Sequence, residues 1–229
     1  MTRRKIPFVT GEYFHVYNRG NSKQKIFLDD EDKERFVKLL YIHNTKKGVS
    51  FRDDIIKPHL NAWDFEKGAP IVSVGAWVLM QNHFHLYITS LTSGLDKIEN
   101  NQESSVSLFM NKLCTSYSKY FNKKYSRVGS LFEGRFKAVH IEDEIQAKYL
   151  FSYIHLNPVK LIDSTWKEDG IKDKIKTLKF LSEYKWSSYL DYKGLKRSEN
   201  KILNRENFLN YFSNISSFDR EILDWINIK

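Results

Sequence analysis

The sequence predicts an α+β protein: a ferredoxin- or RRM-like split β-α-β antiparallel sheet with helices on one face, followed by a helical C-terminal extension. Three observations predict it. Segments 13–18, 71–80, 83–89 and 136–141 are rich in β-branched and aromatic residues, which suit a pleated, half-buried surface. Two longer segments, after Asp29-Asp30 and after Ser104-Ser105, carry apolar residues at helical spacing instead. Their order, strand–helix–strand–strand–helix–strand, is that of the split βαβ unit.

Tyr13-Phe-His-Val-Tyr-Asn18 is the first strand, closed by Arg19-Gly20. Asp29 and Asp30 offer caps to the first helix, whose Phe36, Leu39, Leu40 and His43 recur at helical spacing, with Gly48 as a stop. Residues 51–70 have no clear period and contain Pro58, Gly68 and Pro70, so a loop is expected. Ile71–Met80 and His83–Thr89 form a hairpin through the short turn Gln81-Asn82. Ser104 or Ser105 caps the second helix, where Val106, Phe109, Met110, Leu113, Tyr117, Tyr120 and Phe121 make one apolar stripe. A basic, glycine-bearing loop from Arg127 leads into the last strand. Asp143 caps a third helix that Pro158 ends near Asn157. Beyond Leu161 the chain is helical and polar, with a lysine-rich run over 167–185 and the aromatics Tyr184, Trp186, Tyr189 and Tyr192. We therefore divide the chain into residues 1–160, a unit that includes the third helix, and 161–229, a basic extension packed on it.

The bulk composition excludes several classes. With 41% hydrophobic and 15% aromatic residues in 229, the chain is globular rather than disordered. No apolar run approaches the roughly 18 residues of a membrane span. The opening Met-Thr-Arg-Arg-Lys lacks the apolar stretch of a secretory signal, so a soluble, cytoplasmic protein is expected. A single cysteine, Cys114, excludes an internal disulfide and a thiolate zinc cluster; it falls on the second helix's amphipathic pattern as a packing residue. Thirty-seven Lys and Arg against 28 Asp and Glu give a formal charge of +9, which favours polyanion partners.

The chemistry concentrates at two places. His83, His85 and Tyr87 alternate along a strand and share one face, while Phe84, Leu86 and Ile88 take the other. Two imidazoles side by side on a rigid strand make half of a metal site; cross-strand packing or simple hydrogen bonding is the commoner explanation of such a pair taken alone. On the third helix, Tyr153 and Asn157 are one turn apart and point the same way, projecting a phenol and a carboxamide oxygen together. An amide oxygen is a reasonable third ligand for a hard divalent ion. His155 lies off that face and reads as structural. Tyr117 and Tyr120, rival nucleophiles by type, lie within the apolar stripe, where packing is the better reading.

His83-Phe-His85 followed by Tyr153-Ile-His-Leu-Asn-Pro-Val-Lys160 resembles the HUH single-tyrosine transposases, and within them the REP-associated tyrosine transposases of bacteria. Met80-Gln-Asn-His-Phe-His-Leu, Tyr120-Phe-Asn, Arg127-Val-Gly-Ser-Leu-Phe-Glu-Gly-Arg-Phe-Lys137 and Trp186-Ser-Ser-Tyr support it in order over about residues 13–192. The resemblance implies a metal-dependent single-stranded DNA endonuclease and strand transferase. Tyr153 would be its nucleophile, His83 and His85 its metal ligands, and Asn157 a third ligand where insertion-sequence relatives carry glutamine. The ion would be Mg²⁺ or Mn²⁺. The partner would be single-stranded DNA folded as a REP-like palindromic hairpin, bound near the nucleoid by a monomer, with a homodimer as the alternative. Arg3, Arg4, Lys5, Arg127, Arg135, Lys137 and Lys160 are candidates for phosphate contact, with Gly129 and Gly134 permitting close backbone approach. Two other classes stay open: a catalytically silent RRM-like hairpin-binding protein or repressor, and a phosphodiesterase using water, which would not need Tyr153.

Overall fold

In the computed structural model, residues 8–91, 104–208 and 218–226 are described. Strand β1 (Tyr13–Arg19), helix α1 (Asp30–Ile42), strands β2 (Val72–Met80) and β3 (His83–Ser90), helix α2 (Ser105–Lys124), strand β4 (Lys137–Ile141) and helix α3 (Glu144–Leu156) follow in the predicted order. The strands form one antiparallel sheet in the order β2-β3-β1-β4. Side-chain caps set the helix starts. Asp29 and Asp32 form a reciprocal capping box at α1. Ser104 accepts from the Ser107 N–H at 3.2 Å, and Asp143 accepts from the Gln146 N–H at 2.7 Å. Within 51–70 the backbone makes a π-helical turn over Phe51–Ile56 and a 3₁₀ turn over Ala62–Asp64.

Alternation decides which side chains meet. Phe14, Val16, Trp77, Leu79, Phe84, Leu86 and Ile88 turn to one face, where α1 and α2 bring Phe36, Leu40, Phe109, Leu113 and Tyr117 into the first core. The two helices of the split βαβ unit thus share a face, as predicted. Ala76, Val78, Met80, Tyr87 and Ile141 turn to the opposite face. There α3 lays down Leu150, Phe151 and Ile154 to make a second core. That face is therefore covered over β2 and part of β3, and left open over β1 and β4.

The extension contains helices α4 (Trp166–Asp169), α5 (Lys174–Glu183), α6 (Tyr189–Tyr192) and α7 (Phe218–Ile226). It solves the problem of an apolar strand at a sheet edge, whose unpaired backbone groups otherwise invite aggregation. Trp186 O accepts from Leu79 N–H at 2.9 Å and Asn204 N–H donates to Val74 O at 3.0 Å. The Ser188 hydroxyl accepts from the Trp77 N–H at 3.0 Å and meets His155 Nε2 at 2.8 Å. His155 Nδ1–H closes the chain on Phe151 O at 2.9 Å. His155 is fully buried and burial holds its imidazole down at about 3, so it is the neutral centre of a structural network. At Gly75 the strand bulges between Val74 and Ala76, and a Cβ there would lie 2.7 Å from the Phe208 ring. Among the described residues no helix is long and apolar enough to cross a membrane.

Candidate functional site

β-Pairing gathers the imidazoles. Tyr17 stands opposite His85, Arg19 opposite His83 and His15 opposite Tyr87, so His15 joins the histidine face from the neighbouring strand. His15 Nε2 lies 2.8 Å from His85 Nδ1, and the two rings stack at 4.9 Å. His83 Nδ1 lies 2.7 Å from the Asn82 carbonyl oxygen Oδ1, which only accepts. That contact puts the proton of His83 on Nδ1 and leaves Nε2 as the bare lone pair. Either ring can hold the proton shared between His15 and His85; with that proton on His85 Nδ1, the Nε2 of His85 is a buried acceptor. Among the described residues that nitrogen has no hydrogen-bond partner. Desolvation holds His83 and His15 at about 4 and pushes His85, which is only 6% exposed, well below its usual value. All three are neutral at pH 7.

Helix α3 delivers the second half of the site. The Tyr153 ring packs edge-on to His85 with centroids 5.5 Å apart, and edge-on to His15 at 6.2 Å. Asn157, at the start of the 3₁₀ turn that ends α3, is buried with its side chain near enough to His83 to act on that imidazole. The two residues one turn apart therefore do face the imidazole pair, from the same chain. Lys167 of α4 donates from Nζ to Tyr153 Oη at 3.0 Å and lies 4.2 Å from the ring centroid. Its charge, with those of Lys160 and Arg19, acts on His83.

A cavity of about 680 Å³ opens beside this cluster, lined by His15, Tyr17, His85, Tyr153 and Lys167 together with Val139, Ile141, Ile145, Tyr149 and Leu150. Tyr149 is 44% exposed and nearly parallel to Tyr153, with ring centroids 6.4 Å apart. The lining thus mixes imidazoles and one ammonium with apolar and aromatic side chains.

The basic residues singled out in the sequence scatter. Lys160 is exposed on the turn after α3, close enough to influence His83. Arg135 and Lys137 line a small pocket of about 110 Å³ with Arg19 and Glu133 at the strand end. Arg127 is not at the site: its guanidinium donates to Gln24 Oε1 at 2.8 Å and packs 5.5 Å from the Phe121 ring. Arg3, Arg4 and Lys5 lie outside the described residues. Tyr117 is buried beneath α1 with its hydroxyl donating to Ile26 O, and desolvation raises it far above the usual phenol. Tyr120 is raised for the same first reason. Burial pushes the Cys114 thiol up to about 12. His15 and Lys167 are the residues that sequence reasoning missed. For His15 a signal existed, since His15 and Tyr17 alternate as His83 and His85 do, but its partner strand was not readable locally.

The fold and the cluster define a class: an α+β protein whose open sheet face carries imidazoles under a helix-borne phenol. No known family's sequence profile matches the chain, and no curated protein matches it. Among solved structures, a REP-associated tyrosine transposase bound to a REP hairpin is similar at 15% identity over 87% of this chain and 90% of that one, with a TM-score of 0.47. A likeness of that degree assigns no residue a role, and the chemistry rests on the geometry above.

Proposed function

We propose that the chain cuts and rejoins single-stranded DNA through a covalent phosphotyrosine at Tyr153, with a divalent ion held by His83, His85 and Asn157. The observation that carries this reading is the buried, unpartnered Nε2 of His85 beside the Tyr153 ring. With the shared proton on His85 Nδ1, that Nε2 is a lone pair in a desolvated site, which is costly unless something fills it. His15 fits the role of the outer partner that fixes a ligand imidazole's tautomer and orientation. Among the described residues no three His, Cys, Asp or Glu side chains form a metal cluster, so the third protein ligand is the Asn157 amide oxygen, which suits Mg²⁺ or Mn²⁺. An ion bound there would draw charge from the scissile phosphate.

The chain's own groups then have defined tasks. Tyr153 Oη forms the bond to phosphorus, the bond from phosphorus to the 3′-oxygen breaks, and that oxygen leaves with the proton the phenol gave up. The ester energy is kept in the phosphotyrosine, and a free 3′-hydroxyl later attacks it; a water nucleophile would discard that energy. Lys167 sets the phenol's direction and places a positive charge beside the phosphate oxygens. Tyr149 with Val139 and Ile145 offers a stacking wall to an unpaired base next to the cut, which favours single-stranded substrate. Lys160, Arg135 and Lys137 contact backbone phosphates on the approaches, and a folded hairpin is the DNA form we assign. Tyr153, the histidines and Asn157 meet within one chain, so the proposed reaction calls for no second copy.

Incubation of the protein with labelled hairpin oligonucleotides and Mn²⁺ tests this. Wild type should form a denaturation-resistant adduct on the 5′ side of the cut, and H83A and H85A should not while keeping hairpin affinity. Cutting without any adduct would replace this reading with hydrolysis by water. That no charged side chain joins His83, His85 and Asn157 among the described residues favours one rival, a protein that binds the hairpin without cutting it; binding with no adduct on any substrate would establish that rival instead.

A further inference from the structure

On the far side of the sheet a second cleft of about 940 Å³ runs between α1, α2 and the turn over Phe51–Ile56. Six cations line it, Arg35, Arg52, Lys112, Lys119, Lys123 and Lys124, and no carboxylate does. Lys124 is neutralised by Asp29, Glu31 and Asp32, which leaves five. Lys112, Lys119 and Lys123 are spaced seven and four apart on α2, a single helical stripe.

Two details mark a built site rather than a solvated basic surface. The Arg35 guanidinium is held 3.8 Å from the Phe51 ring and 4.6 Å from the Tyr120 ring. Among the described residues no acceptor takes its N–H groups, so the fork is fixed in place and its hydrogen bonds are unspent. His43, at the floor, is 3% exposed with neither ring nitrogen hydrogen-bonded. Donors without partners, the Arg35 fork and the one N–H of His43, are what a ligand's phosphate oxygens would satisfy.

We infer that this cleft binds the phosphodiester backbone of a DNA duplex, on the face of the sheet opposite Tyr153. A duplex fits better than a single strand because the two rings in the cleft are already covered by Arg35 and offer no platform to an unstacked base. A duplex also presents phosphates at the higher linear density that a run of cations exploits. The inference is independent of cutting: it requires neither a metal nor a competent tyrosine.

The test is equilibrium binding of a short blunt DNA duplex, by fluorescence anisotropy across a KCl series without divalent metal, in a Tyr153→Phe background. In the double variant Lys119→Glu/Lys123→Glu both changed side chains are exposed, so thermal unfolding should match the parent. The affinity should fall roughly tenfold or more, and the slope of log K against log salt should shrink by about two, close to one per lost phosphate contact. Arg35→Lys, which keeps the charge but loses the fork, should weaken binding with little change in slope. Unchanged affinity and slope in the double variant would overturn the inference, and so would a larger loss for a single strand than for the duplex. A protein that binds duplex in this way but never forms an adduct would refute the cutting reaction and leave this cleft's assignment standing.

Discussion

His15, His43, His83, His85 and His155 all sit in the fold as neutral imidazoles, held down first by desolvation. In the unfolded chain each takes up a proton near 6.5; folded, His155 does so only near 3 and His15, His43 and His83 near 4. The unfolded state therefore binds more protons below about 6.5, and stability that is complete above that value is lost as the pH falls. Each fully buried imidazole contributes a loss of about 1.4 kcal/mol one pH unit below it. Chemical denaturation at pH 7 and at pH 5.5 should show the drop, and H155N should remove His155's share while lowering stability at pH 7. That cost is roughly 2–4 kcal/mol, because Ser188 and Phe151 O lose their partner. Lys167 makes a different prediction. K167M should slow adduct formation roughly 10- to 100-fold, less than the loss of a buried oxyanion donor, with K167R restoring part of it and hairpin affinity unchanged. Rapid-quench gels read both.

The elements explain why such residues meet. The hairpin of β2 and β3 is rigid because β2 is paired on one side by β3 and closed on the other by residues 186–204 of the extension. Helix α3 is pinned to it through Leu150, Phe151 and Ile154, and this fixes Tyr153 and Asn157 over the imidazoles. The bulge at Gly75 is part of the same construction, since the Phe208 ring occupies the space of a side chain. G75V should cost about 1–3 kcal/mol by overpacking, visible as a lower urea midpoint at constant slope. The strands, both long helices and their caps were legible because alternation, apolar stripes and Ser/Asp caps are local signals. The placing of the histidine pair, and of the phenol with the amide, was legible for the same reason, each pair lying within four residues. His15 and Lys167 were not. One reaches His85 only through the antiparallel register of β1 on β3. The other sits on a four-residue helix whose approach to Tyr153 no period announces. The contacts of Arg127, a basic loop residue read as a phosphate contact, were not legible either: its guanidinium meets Gln24 and the Phe121 ring, partners that no local pattern announces.

Across the whole molecule the sheet serves as a partition. One face is filled by α1 and α2 and bears the basic cleft; the other is half covered by α3 and the extension and bears the histidine–tyrosine cluster. The extension contributes Trp166, Leu181, Tyr189 and Ile222 to the second core, so a chain ended at residue 161 should expose that core and the edge of β2. Such a truncation should be insoluble or lack cooperative unfolding, which calorimetry and solubility would show. The central claim is that Tyr153, and no other phenol, takes the phosphate. Trapping the adduct on an oligonucleotide with Mn²⁺, digesting it and sequencing the modified peptide by tandem mass spectrometry tests that claim most directly. The account predicts a nucleotide mass on the peptide that contains Tyr153; the same mass on Tyr149, Tyr120 or any other residue would contradict it.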